Sequence, residues 1–150
     1  VLKDQLNIDV ASLKNTTKFM GLLEKELNEK YQVQPTHSAE ELNGLINAFP
    51  KNIHHFVIER EGQCLAGVII YICNPTVHFQ YMGANDEAKK DNLLDHLVLH
   101  VIELYKSSYS FLDFGISTEQ NGLYLNEGLI HYKELFGARG ICYDQYELAL

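Results

Sequence analysis

Basic residues are scarce in this chain. Twelve lysines and arginines stand against 20 aspartates and glutamates, for a formal net charge of −8. A surface that acidic repels phosphate backbones, which argues against nucleic acid as the main partner and leaves room only for a small phosphorylated ligand at a local basic patch. Long apolar runs are lacking too. The longest, Cys64 to Cys73, is strand length and is broken by Gly67; a bilayer needs ~20 apolar residues in a helix. No basic segment leads into an apolar one near Val1, so no secretory leader is visible. The start at Val1 suggests a fragment or a processed chain. Cysteine is limited to Cys64, Cys73 and Cys142, an odd number without metal-site spacing. Each lies in an apolar, strand-like segment, so all three are expected as reduced core thiols in a cytoplasmic protein. Neither a Gly-x-Ser-x-Gly nor a Cys/His nucleophile motif is present, so no covalent intermediate on a serine or cysteine is expected. His96 and His100 have a helical spacing that can hold zinc, but no third ligand or His-Glu-x-x-His pattern accompanies them. A solvated helix face, with no metal, is the expectation.

What is present is the balance of an ordinary folded domain: 46% hydrophobic and 21% charged residues in 150, enough for one core and one domain spanning 1–150. The stripe Phe19, Leu22, Leu23, Leu27 predicts a helix from about Ser12 to Tyr31. Ser38 with Glu41 three residues on is a capping box for a second helix, stopped by Pro50. Three strands follow as an antiparallel meander: His55 to Glu61, Gln63 to Cys73 and Val77 to Met82, with Val77, Phe79 and Tyr81 expected on one side. The period then becomes helical from Asp86 to about Ser107. Phe111 to Ile116 is a short strand, Leu123 to Phe136 a helix, and Ile141 to Leu148 a last alternating strand. The step from Val77 through Ile116 is long enough for a parallel crossover. Nothing in the sequence repeats.

Gln80-Tyr-Met-Gly83-Ala84-Asn85 lies between the third meander strand and the long helix. Gly83 suits close approach of a backbone to phosphate, and Asn85 or Asp86 suits a helix cap, so the turn could cradle an anion. An ordinary strand-to-helix turn would use the same residues. With the element order, this turn, the strand Phe111-Leu-Asp-Phe-Gly-Ile-Ser117 and the helix Leu125-Asn-Glu-Gly-Leu-Ile-His-Tyr-Lys-Glu-Leu-Phe-Gly137, the chain resembles the GNAT acyltransferases, and its closing motifs resemble those of FemAB-like members. The resemblance spans roughly Phe56 to Leu148 and implies an α/β (α+β) fold with a mixed sheet, an antiparallel meander plus two parallel strands that splay apart, flanked by helices. FemAB-like proteins often carry two such domains, so the chain looks like the second half of a tandem pair.

The resemblance further implies acyl-CoA, with acetyl-CoA first, as co-substrate. Its pyrophosphate would meet Gln80, Gly83, Ala84, Asn85 and Asp86, although Asn85 stands where the family pattern has a small residue. The N–H of Tyr81 or Met82 would polarise the thioester carbonyl. Asn126 neighbours Leu125, where the family often places an asparagine near the cofactor. Tyr132 occupies the place of the tyrosine that reprotonates the leaving thiolate; a phenol can make that transfer, and a core tyrosine with a satisfied hydroxyl is the alternative. Asp113, Glu127 and His131 are the candidate bases for the acceptor amine. The acceptor would be a small-molecule amine or a peptide, with no membrane and with a second copy or a partner GNAT domain as companion. Two other functions stay open: a non-catalytic GNAT-like support or ligand-binding domain, and a FemAB-type transferase using aminoacyl-tRNA, which the negative charge disfavours.

Overall fold

In the computed structural model, which describes residues 8–10, 13–144 and 146–148, one five-stranded sheet organises the chain up to Asp113. Its strands, in spatial order, are β1 (Ile8–Val10), β2 (Ile53–Arg60), β3 (Gln63–Cys73), β4 (Thr76–Ala84) and β5 (Phe111–Asp113). The pairs are antiparallel except β4 with β5, which is parallel. The meander and the parallel crossover are as the sequence predicts; β1 is an addition that three residues were too few to announce. The predicted start of the first helix at Ser12 lies outside the described residues, and α1 runs Leu13–Tyr31. α2 (Ala39–Ala48) has its capping box in place, the Ser38 hydroxyl accepting from the Glu41 N–H and the Glu41 carboxylate accepting from the Ser38 N–H.

β3 is buried along almost its whole length because helices cover both faces of the sheet. Phe19, Met20 and Leu23 of α1 and Leu42 of α2 pack with Ile53, Val57, Ile69, Tyr71 and Tyr81 on one face. The other face meets α4 (Leu93–Tyr105), where the His100 ring stands edge-on to Phe56. His100 is thus half-buried against an aromatic ring rather than solvated. The long predicted helix is in fact two, α3 (Asp86–Lys90) and α4, because Asn92 takes a left-handed conformation at φ 53° between them. Only Cys64 is a core thiol, pushed up to about 11 chiefly by burial. Cys73 and Cys142 are exposed, Cys73 because it ends β3 at the Asn74-Pro75 turn.

One expected face is corrected. Ile70 pairs with Phe79 and Ile69 with Tyr81, so Gln80 is an extra residue in β4. A bulge of one residue reverses the parity of everything after it. Val77 and Phe79 therefore lie with Ile72 and Ile70 on the α4 face, and Tyr81 lies on the α1/α2 face.

His55 of β2 is 2% exposed on the α1/α2 face, 2.9 Å from the Thr16 hydroxyl. Burial pushes its imidazole down to about 3. An unfolded histidine titrates near ~6.5. Between those values the unfolded chain takes a proton that the folded one refuses, so this contribution is complete above about pH 6.5 and is lost as pH falls. Urea unfolding at pH 7 and pH 5 is expected to differ by roughly 2 kcal/mol, with much of that difference gone in His55→Gln. Equal stabilities at the two pH values would contradict this account.

From Phe114 the chain forms a second unit. Thr118–Glu119 (β6) and Tyr124–Leu125 (β7) make a small antiparallel ladder around a 3-10 turn at Gln120–Gly122, and α5 runs Glu127–Leu135. α5 starts later than predicted because Leu125 is held in the ladder opposite Thr118 and Asn126 caps the helix, its side-chain oxygen accepting from the Leu129 N–H at 2.9 Å. The predicted strand at Phe111–Ile116 ends at Asp113. The predicted last strand is not formed: residues 141–144 and 146–148 are irregular, and Tyr143 and Tyr146 are exposed. Alternation marks a residue pattern that suits a strand, but the ladder needs a neighbour, and none is paired among the described residues.

Candidate functional site

The β4–β5 ladder has only three rungs: Thr76 with Phe111, Val77 with Leu112 and His78 with Asp113. β4 continues to Ala84 with no β5 partner among the described residues. The bulge at Gln80 lies two residues past the last rung. One edge of β4 thus offers backbone groups from Gln80 onward that a ligand could pair with. Gln80, Tyr81 and Met82 lie along this edge, each partly buried.

Gly83, Ala84 and Asn85 are placed differently from a simple anion cradle. Gly83 is within β4, opposite Gly67. A Cβ built on it would come 3.1 Å from Leu23 Cδ1 and 3.6 Å from the Glu26 carboxylate, so its smallness seats α1. Gly83→Val therefore disturbs packing as well as any ligand and cannot leave the fold untouched. The Ala84 N–H donates to Glu26 at 3.3 Å, the Asn85 N–H to the Leu65 carbonyl at 2.8 Å, and the Ala88 N–H to the Asn85 side chain at 2.8 Å. Lys89 reaches the same Glu26 carboxylate, and Asp86 is 3.4 Å from Lys89. A carboxylate of the chain itself thus holds one N–H of this corner. Glu26 carried no signal in the sequence beyond its place on the wet face of α1.

Asp113 hydrogen-bonds His78, Oδ2 to Nδ1 at 2.8 Å, across the last parallel rung. His78 was not legible as a site residue, since only the register of a strand 35 positions away brings its partner beside it. Tyr71 is the cross-strand partner of His78 on β3; its hydroxyl is buried and makes no hydrogen bond among the described residues. The Tyr81 hydroxyl meets His37 Nδ1 at 2.7 Å and accepts from the His37 N–H at 3.2 Å. His37 also lines a hollow of about 410 Å³ with Thr17, Glu24, Gln34 and Ser38, within the size range of small-molecule sites.

The remaining candidates lie in the second unit. Tyr132 is half-buried, edge-on to Phe136 with ring centroids 5.3 Å apart. Asn126 caps α5 and donates to Glu119 at 2.7 Å. Glu127 and His131 are exposed. Lys133 is the buried residue of α5, donating to the carbonyls of Gly115 at 3.0 Å and Ile116 at 2.6 Å. Among the described residues, no group of three or more His, Cys, Asp or Glu side chains could hold a metal ion, and no helix is long and apolar enough to cross a membrane.

No protein-family model matches the chain, and no curated protein matches it. Solved structures do. A possible acetyltransferase from Clostridium difficile 630 superposes with a TM-score of 0.72 at 10% identity, over 97% of each chain. An aminoglycoside acetyltransferase from an uncultured soil metagenomic sample, in complex with sisomicin, gives 0.68 at 13% identity, covering 99% of this chain and all of that one. A predicted acetyltransferase with acetyl-CoA from Clostridium acetobutylicum gives 0.67 at 13% identity, covering 97% and 96%. With the parallel pair that parts after three rungs, these likenesses show that the chain has the GNAT acetyltransferase fold.

Proposed function

We propose that the chain is an N-acyltransferase that moves an acyl group, in the first instance acetyl, from acyl-CoA to an amine by direct transfer in a ternary complex. The observation that carries this reading is the end of the β4–β5 ladder at His78 and Asp113, which leaves the Gln80–Met82 edge of β4 without a β5 partner among the described residues. The pantetheine arm of acyl-CoA carries amides that can pair with such an edge. The N–H of Tyr81 or Met82 then polarises the thioester carbonyl. Gln80 and the Gly83–Asp86 segment take the pyrophosphate, in competition with Glu26. Tyr132 reprotonates the departing thiolate, and Asn126 supports the co-substrate. The acceptor is a small-molecule amine or a peptide. Sisomicin, bound by one structural neighbour, is an amine of this kind. The resemblance of the closing motifs around Asp113 and Tyr132 to FemAB-like members supports reading the chain as that type, one 1–150 domain of a tandem pair, working in the cytoplasm, where acyl-CoA is available.

One observation favours the non-catalytic alternative, a support or ligand-binding domain: the Glu26 carboxylate already holds the Ala84 N–H. Calorimetric titration with CoA and acetyl-CoA separates the two. Binding in the micromolar range is expected, and a chain that binds neither is not an acyl-CoA enzyme. In the binding protein, Tyr132→Phe should lower turnover by at least about tenfold, since general acid help is worth about a hundredfold or more. Melting temperature and CoA affinity should stay close to wild type. Unchanged turnover would remove Tyr132 from the chemistry.

A further inference from the structure

The acceptor amine needs a base, and the first unit holds a pair of side chains suited to that task that the sequence did not reveal. We propose that His78 is the general base of the acyl transfer and that Asp113 is its positioning residue, an inference that rests on the acyl-CoA reading above. Three observations converge on it. The pair forms the last rung before β4 and β5 part, so it marks the closed end of the opening in which a thioester would lie. Both side chains are reachable from solvent, at 30% and 53% exposure. His78 also projects on the α1/α2 face, because it pairs directly with Tyr71, which packs against the core on that face. The hollow lined by His37 lies between α1 and the start of α2, the helices that cover this face.

The chemistry follows from the ring. A carboxylate only accepts, so Asp113 Oδ2 at 2.8 Å takes the Nδ1–H. That fixes the tautomer and leaves the Nε2 lone pair for the substrate. As the amine nitrogen attacks the thioester carbon, the N–C bond forms and Nε2 takes the proton from nitrogen. The C–S bond then breaks, the electron pair leaves with sulfur as thiolate, and the thiolate is protonated by its acid or by water. The imidazolium afterwards returns its proton to solvent. Asp113, exposed and already engaged, does not need to take the proton itself. Tyr71 is the cross-strand partner of His78, and its hydroxyl, buried and with no hydrogen-bond partner among the described residues, would gain one from a polar group of an acceptor that reached it. This favours primary amines flanked by a hydrogen-bonding group, and ethanolamine is the simplest probe.

The experiment measures thiol release from acetyl-CoA by the intact chain, with ethanolamine and with water alone as acceptor, beside acetyl-CoA affinity by titration. His78→Gln should lower thiol release by about a hundredfold with acetyl-CoA affinity and melting temperature unchanged. Added imidazole should restore much of the rate in His78→Ala, an effect that no structural role produces. Asp113→Asn should lower the rate less, and Asp113→Glu should recover part of it. Wild-type rates in His78→Gln overturn the assignment. So does a protein that binds acetyl-CoA but releases thiol from it no faster than free solution does with either acceptor. Failure to bind acetyl-CoA at all overturns the acyl-transfer reading instead, and is distinguished by the titration.

Discussion

Gly67→Ala is expected to destabilise the first unit by about 3 kcal/mol, the upper range for forcing a methyl into a packed core. Gly67 lies in the middle of β3, with Val57 on one side and Gly83 on the other. A Cβ there would stand 2.4 Å from Cδ2, 2.7 Å from Cγ and 2.8 Å from Cε2 of Phe19. Cγ is the root of the ring, so a small swing of its far end gives no relief. The ring is wholly buried and its centroid lies 5.2 Å from that of His55, which limits any retreat. Gly67 and Gly83 face each other across the β3–β4 ladder and form the seat of α1, which in turn sets Glu26 beside Ala84. Denaturant unfolding is the measurement. The diagnostic is a pair of variants: on a Phe19→Leu background the same Gly67→Ala change should cost clearly less, because the clashing ring is gone. A cost below about 0.5 kcal/mol in the wild-type background would show that α1 is not seated by close approach.

In the second unit the largest expected loss is at Lys133. Its ammonium donates to the Gly115 and Ile116 carbonyls, and the residue is 5% exposed. Gly115 sits at φ +70°, so the chain turns there, and after the turn the Ile116 carbonyl is offered to a side chain rather than to a strand. Lys133 thereby ties the segment after β5 to α5, beside the stacked rings of Phe114 and Phe136. Lys133→Met keeps the length and most of the packing but removes both charge-assisted bonds. Hydrogen bonds to charged groups are worth about 1.5–3 kcal/mol each, so a loss of about 3 kcal/mol is expected. Hydrogen exchange at α5 amides should accelerate accordingly, while β3 amides keep their protection. Unchanged exchange along α5 would show that the two carbonyls find other donors at no cost. Tyr132 is the preceding residue on this helix, so the variant also asks whether Tyr132 needs a firm support to act.

The periodicities that local chemistry imposes were legible in the amino-acid sequence: the capped α2, the apolar β3, the meander, and a parallel return at Phe111 after a helical stretch. They suffice for the fold, because burial of apolar stripes and turn chemistry act over a few residues. Short elements were not legible. β1, β6 and β7 have two or three residues each, and exist because a neighbour supplies the ladder. The strand expected at Ile141–Leu148 is absent from the described residues for the same reason.

What the sequence settled about the site was the type of residue, not its neighbours. Asp113 stood out as a carboxylate in an apolar strand, and the Gly83 turn as a place where backbone comes close. Only the tertiary structure put His78 beside Asp113, turned Tyr81 to the α1/α2 face through the extra residue at Gln80, and brought Glu26 to the Ala84 N–H. Each depends on register between segments 35 or more positions apart or on a one-residue bulge. A single step of register moves a side chain to the opposite face of a sheet, and no local preference records that step.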